Sequence, residues 1–188
     1  YYSHPTISNC FVWDGNDHGI YIYNYSNPNL NNIEIYDCID YGIYIYNYSN
    51  PNLENIDVHD NTSYGIRIYN YCYNAKIIDS KIYSNGNDGL YIDYNYESSI
   101  DILNCEIYEN GDDGVYIYDS DVNFEFCKIY KNIAQGFEIN DYCDPVEIYD
   151  CEIYENNSYG IYSDYDNDVY VYRSFVHNNN GTGIYIED

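Results

Sequence analysis

Through most of this chain apolar and polar residues alternate one for one, in bursts of four to eight separated by Asn-, Asp- and Gly-rich turns. The line "GIYIYNYSNPNL" at residues 19–30 returns unchanged at 42–53, 23 residues later. Alternation with period 2 sends successive side chains to opposite faces of a strand, so the repeating unit is a β-coil and helical repeats are excluded. A Gly followed by an aliphatic or aromatic residue recurs at Gly19, Gly42, Gly65, Gly89, Gly114, Gly136, Gly160 and Gly183, at spacings of 22 to 25. A period of this size along a whole chain predicts a solenoid of about eight coils.

Aligning the coils on their glycines produces columns. One and three residues past each Gly stand apolar positions that begin with Ile20 and Ile22 and end with Ile184 and Ile186. A second apolar column runs Ile7, Leu30, Leu53, Ile77, Ile102, Phe124, Ile148 and Val171, and a third runs Val12, Ile35, Val58, Ile82, Ile107, Ile129, Ile153 and Val176. Three inward-facing strands per coil predict an all-β, three-sided tube over residues 1–188, a single domain without a capping helix. Four residues before the later glycines sit Asn61, Asn85, Asn110, Asn132, Asn156 and Asn179, whose amides could hydrogen-bond along the tube at a corner.

The motif C-x-[IV]-[YHW]-x-N-x-x-x-G-[ILVF]-x-I, written here as "CEIYENGDDGVYI" and "CKIYKNIAQGFEI", resembles the right-handed parallel β-helix repeat of the pectate-lyase-like superfamily. The resemblance covers all eight coils. It implies the fold and leaves the activity open, since that scaffold carries lyases, hydrolases, epimerases, adhesins and surface proteins. The chain is also similar in composition to archaeal cell-surface β-helix proteins, including methanogen sheaths.

Composition narrows the partners. Against 32 Asp and Glu stand 6 Lys and Arg, a formal net charge of −26 that repels nucleic acid and anionic membranes and attracts cations. No apolar run is long enough to span a bilayer, so membrane insertion is not expected. Asn-x-Ser/Thr sequons at Asn24, Asn47, Asn61, Asn156 and Asn180 fit an exported protein, extracellular or at the cell surface. No cofactor is expected, although Asp- and Asn-rich turns could collect calcium through oxygen ligands.

Candidate chemistry is sparse. The Asp pair in "NGDDG" at 110–114 occupies the same turn as "NGNDG" and "NNSYG", so turn chemistry explains it. Lys128 and Lys131 share columns with Glu106, Glu109, Glu152 and Glu155; Lys81 lies between Asp57 and Glu106, and Arg173 one coil from Asp150. These cations read as cross-strand ion pairs, and Arg67 between Tyr44 and Tyr91 reads as stacked, leaving no basic cluster for an acidic sugar polymer. The expectation is therefore a protein with no catalytic residues.

Aromatic columns dominate instead. Trp13, Tyr36, His59, Tyr83, Tyr108, Tyr130, Tyr154 and His177 form one outward line, and Tyr21, Tyr44, Tyr91, Tyr116, Tyr162 and Tyr185 fill most of another. Such faces stabilise ladders and could also pack on a protofilament or a carbohydrate chain. Of the seven cysteines, Cys72 and Cys143 are expected in an outer turn, available for intermolecular disulfides. Open tube ends led by Ile20, Ile22, Ile184 and Ile186 predict a homo-oligomer or polymer stacked end to end, in effect a filament, sheath or surface-layer subunit. The alternative is a carbohydrate-binding or carbohydrate-cleaving β-helix domain from a larger protein.

Overall fold

Alternating side chains become parallel strands whose inward residues share one core. The computed structural model describes residues 2–187, apart from the side chains of residues 97 and 98. Nineteen strands occur among the described residues, all paired in parallel between successive coils, and no helix. The chain winds as a β-solenoid of eight coils with three faces.

Face A follows each glycine: Ile20–Tyr23, Ile43–Tyr46, Ile66–Tyr69, the first part of Leu90–Leu103, the first part of Val115–Glu125, Phe137–Asn140, Ile161–Asp164 and Ile184–Glu187. Its register aligns Ile20, Ile43, Ile66, Leu90, Val115, Phe137, Ile161 and Ile184, as the glycine spacing requires. Faces B and C carry the second and third apolar columns, for example Leu53, Ile77 and Ile102 on B and Val58, Ile82 and Ile107 on C. From coil two to coil six these residues are fully buried. Each such Ile or Leu contributes about 1.5–3 kcal/mol by leaving water.

The three bends between faces leave backbone N–H groups inside the tube, and inward side chains satisfy them. At the bend before face A, the Oδ1 of Asn85, Asn110, Asn132, Asn156 and Asn179 each accepts both the backbone N–H and the Nδ2–H of the Asn one coil earlier, at 2.9–3.2 Å. The residue preceding each Asn, such as Asp60 or Glu109, turns the chain at a φ near +55°. Glycine follows for lack of space: a Cβ on Gly65 would stand 2.5 Å from Ile82 Cγ2 and 2.6 Å from the Gly89 carbonyl oxygen. Asn61 and Asn156 are buried members of this ladder, which removes them from the sequons available to an exported glycoprotein.

A second ladder, between faces A and B, corrects the expectation for Cys72 and Cys143. Both are fully buried, because their column with Ser26, Ser49, Asn95, Ser120 and Asn167 faces inward. Cys72 Sγ points to the Tyr69 carbonyl at 3.4 Å and Cys143 Sγ to that of Asn140 at 3.4 Å. Burial lifts each thiol to about 12, so neither offers a thiolate to a second chain. At the third bend Cys105 and Cys127 donate their backbone N–H groups to Cys127 Sγ and Cys151 Sγ at 3.4 Å. These stacked sulfurs, free thiols, do in this ladder what the hydroxyls of Ser80 and Ser174 do for the N–H groups of Ile56 and Cys151.

Ile20 is half-buried and Ile22 buried beneath coil two, whereas Ile184 and Ile186 at the far end remain 46% and 61% exposed.

Candidate functional site

Face A presents three outward columns that touch one another. Next to the bend run His18, Tyr41, Tyr64, Asp88, Asp113, Gln135, Tyr159 and Thr182; the middle column runs Tyr21, Tyr44, Arg67, Tyr91, Tyr116, Glu138, Tyr162 and Tyr185; the outer one runs Tyr23, Tyr46, Tyr69, Asp93, Tyr118, Asn140, Asp164 and Glu187. Toward coils one and two these columns are nearly all tyrosine, with ring centroids 4.9 Å apart for Tyr21 and Tyr23, 5.2 Å for Tyr21 and Tyr44 and 5.4 Å for Tyr41 and Tyr44. A second aromatic group closes the far side, where Tyr159 lies 5.5 Å from Tyr162 and 5.3 Å from Tyr185. Between them the repeat breaks. Asp88, Asp113, Gln135 and Glu138 stand where ladder packing would be met by more tyrosine, as do His18, Arg67 and Asp93 elsewhere on the face, and such departures from a repeat's own rule are where functional or strained sites are sought.

The carboxyl groups there are held by the backbone and by one another. Asp88 Oδ1 accepts the Asp113 N–H at 2.9 Å, and Asp113 Oδ1 accepts the Gln135 N–H at 2.7 Å. Oxygens of Asp88, Asp112 and Asp113 lie within 4.8 Å of one another, an all-oxygen set of the kind hard cations favour. Glu138 is gripped by two amides, Gln135 Nε2 at 2.6 Å and Asn140 Nδ2 at 2.9 Å. Asp88 and Asp113 are only 5% and 3% exposed. Burial, with Asp112 and Glu138 nearby, pushes Asp88 up to about 7; burial, with the Asp88 and Glu138 carboxylates close by, pushes Asp113 well above the usual carboxylate range. Both carboxyls are thereby pushed toward holding a proton well above the usual carboxylate range, a condition from which acid–base chemistry can start.

One coil toward the amino terminus, Arg67 donates to Asp93 Oδ2 at 3.0 Å and to the Tyr41 hydroxyl at 3.2 Å. Its guanidinium lies 5.0–5.8 Å from the ring centroids of Tyr41, Tyr44, Tyr69 and Tyr91. Burial lifts Asp93 to about 6 even against this cation. Arg67 Nε and Asp93 Oδ1 are both buried without hydrogen-bond partners, which ordinary structural pairs avoid.

Two overlapping matches to the right-handed β-helix region, residues 1–100 and 94–188, together span the whole chain. The chain belongs to the right-handed β-helix family. No curated protein sequence matches it. Among solved structures, this β-helix superposes on the A-module of a mannuronan C-5 epimerase from Azotobacter vinelandii with a TM-score of 0.76 and 17% identity, over 97% of this chain and 57% of that one. It also matches a periplasmic alginate epimerase (0.70, 21% identity, 81% of this chain and 38% of that one) and a pectate lyase (0.66, 17% identity, 78% and 44%). The β-helix thus spans about 38–57% of the length of these structures, and at such identities the likeness is one of fold.

The expectation of a non-enzymatic protein is corrected by this comparison: solved structures that share the fold include epimerases and a lyase, so the fold gives no ground for excluding an enzyme. In "NGDDG" the turn role expected for the Asp pair is seen in the hydrogen bond from the Gln135 backbone N–H to Asp113 Oδ1, and what the sequence did not show is the burial of Asp113. Asp112 faces water, whereas Asp113 is buried and its backbone N–H donates to the Asp88 carboxylate of the preceding coil.

The aromatic line predicted from Trp13 to His177 lies elsewhere on the β-helix, on the outside of face C. Its eight rings stack without a gap, at centroid separations of 4.7–6.3 Å and interplanar angles of 13° or less. Arg173 pairs with Asp150 at 2.5 Å and Lys131 with Glu109 at 3.7 Å, while Lys76 joins Asp101 at 2.7 Å. The column containing Asp88 and Asp113 went unread in the sequence, although its signal is there: a column of His and Tyr that turns acidic for two consecutive coils.

Proposed function

We propose that this β-helix binds a polysaccharide along face A and performs acid–base chemistry on it at Asp88 and Asp113. The observation that carries the reading is the break in the tyrosine columns, where two buried carboxyls of raised pKa lie between aromatic flanks. Tyr41, Tyr44, Tyr64 and Tyr91 on one side and Tyr159 and Tyr162 on the other offer ring faces and hydroxyls to pyranose units. Asp113, protonated, is the proton donor; Asp88, poised near neutrality, is the acceptor; Glu138, fixed by its two amides, holds a sugar hydroxyl. Arg67 is already committed to Asp93, and the chain carries −26 charges, so the preferred polymer is neutral rather than a polyuronate. The names of three solved structures that share the fold, two epimerases and a lyase, support an enzyme of polysaccharides over a filament or sheath subunit, although the polymers in those names (alginate, mannuronan and pectate) are polyuronates, so the neutral preference rests on the charge and on Arg67 alone. The same relatives, one of them periplasmic, support an exported location.

Affinity electrophoresis through gels cast with neutral polysaccharides or with polyuronates, followed by product analysis, tests the proposal. Retardation by a neutral polymer, weakened in Y64A and Y159A, and turnover lost in D88N and D113N with retardation kept, is the expected result. No retardation by any polymer, or turnover indifferent to both Asp substitutions, overturns it.

A further inference from the structure

Coils one and two hold another group of ionisable side chains that the acid–base pair does not use. Asp17 and Asp40 occupy one column, one coil apart, and the Asp40 backbone N–H donates to the Asp17 carbonyl at 3.3 Å. His18 projects between their carboxylates, with Nδ1 3.6 Å from Asp17 Oδ1 and 3.4 Å from Asp40 Oδ2. Neither contact makes a hydrogen bond, and Nδ1 is buried with no hydrogen-bond partner. The ring cannot easily turn to find one. It lies flat on Tyr41, centroids 4.7 Å apart and planes 9° apart, and is met edge-on by Tyr21 at 5.6 Å and Tyr44 at 5.2 Å. Tyrosine fills this column at Tyr41, Tyr64 and Tyr159, so packing alone does not call for an imidazole.

We propose that Asp17, His18 and Asp40 form a site for a divalent transition metal, with His18 Nδ1 and one oxygen of each carboxylate as the protein donors. Ligands on one tetrahedral ion with bonds of about 2.1 Å stand about 3.4 Å apart. The observed 3.4 and 3.6 Å fit that edge, and all three donors lie within 4.8 Å of one another. One imidazole nitrogen with two carboxylates suits zinc, cobalt or nickel, whereas calcium takes oxygen alone. The half-buried imidazole is pre-oriented by three rings, the two carboxylates are spaced by the coil stack, and the surrounding negative charge favours a cation. The site stands apart from the Asp88 and Asp113 pair and does not depend on the function proposed for it.

Cobalt(II) titration of the full chain, read by visible absorption and by the imidazole ¹⁵N resonances of His18, tests the site. Saturation at one equivalent, weak ligand-field bands without thiolate-to-cobalt charge transfer, and displaced His18 ring nitrogens are expected. H18F, which keeps a ring on Tyr41, and D40N should each lower the affinity at least about tenfold. Undiminished binding in H18F would place the ion on the general acidic surface and overturn the proposal. Thiolate bands, or ring nitrogens unmoved by cobalt, overturn it as well. If H18F does not fold, D40N alone carries the comparison, because its side chain is the same size and the ring clamp is untouched.

Discussion

Replacing Asp88 by Asn should make the protein more stable and its stability less dependent on pH. Burial holds the folded carboxyl near 7, while the unfolded chain releases the same proton near 3.8. Between those values the native state keeps a proton that the unfolded state has lost. Each unit of rising pH therefore costs the native state about 1.4 kcal/mol, and the whole window of roughly three units costs about 4 kcal/mol. The sign is opposite to that of an ion-paired carboxylate: this contribution is fully present below the unfolded pKa and is lost as pH rises through 7. Relaxation around the charge reduces the figure, so about 2–4 kcal/mol is expected at pH 8. Asn is the right probe because its Oδ1 still accepts the Asp113 N–H, so charge is removed with little change of shape. Urea unfolding followed by circular dichroism at pH 4 through 8 measures the effect. The difference between D88N and the parent should grow from near zero at pH 4 to its full value at pH 8, while turnover is lost. A difference independent of pH would mean that Asp88 is solvated, and the acid–base assignment would fall with it.

Other consequences concern the ladders. Asn110→Ala removes the acceptor of the Asn85 N–H and the donor to the Ile82 carbonyl, both inside the tube, and should cost about 2–5 kcal/mol by urea unfolding. Gly65→Ala should cost more than 2 kcal/mol or prevent folding, because its Cβ would overlap Ile82 and the Gly89 carbonyl of the next coil. Tyr108→Ala breaks two ring contacts at 4.9 and 4.8 Å and should cost about 1–3 kcal/mol while leaving turnover unchanged, since face C takes no part in it. Equal loss of turnover in Y108A would place the substrate on face C.

The fold was open to reading because a stacked coil repeats every constraint. Ile43 must sit over Ile20 and Asn85 over Asn61, so spacing alone returned the register and the amide ladder. Cys72 and Cys143 misled because a bend seven residues past a glycine looks external on a strand template. Only the three-dimensional path shows that one residue of that bend points inward, and the Ser and Asn sharing its column were the available clue. The acid–base pair escaped for another reason. Asp in a turn is common enough that identity carries little information, and what distinguishes Asp113 is the burial imposed by its neighbours in adjacent coils. Arg67 was placed correctly between two tyrosines, but its partner Asp93 lies in the adjacent column of the next coil, a diagonal that column-by-column comparison does not sample.

The side-chain ladders also make the coil a unit of copying. Each coil bonds only to the one before and the one after, through like residues in like positions, so a whole coil can be added or removed where the flanking columns agree. The identical lines at 19–30 and 42–53 supply such a junction. Deleting residues 20–42 joins Gly19 to Ile43 and restores the same sequence, with Ile, Tyr and Ser columns uninterrupted. Length in this protein is therefore quantised in steps of one turn of chain. Unequal recombination between the two copies would lengthen or shorten the tube without exposing a mismatched edge, and it would do so at the end of face A remote from Asp113, leaving the acid–base pair in its own unduplicated coils.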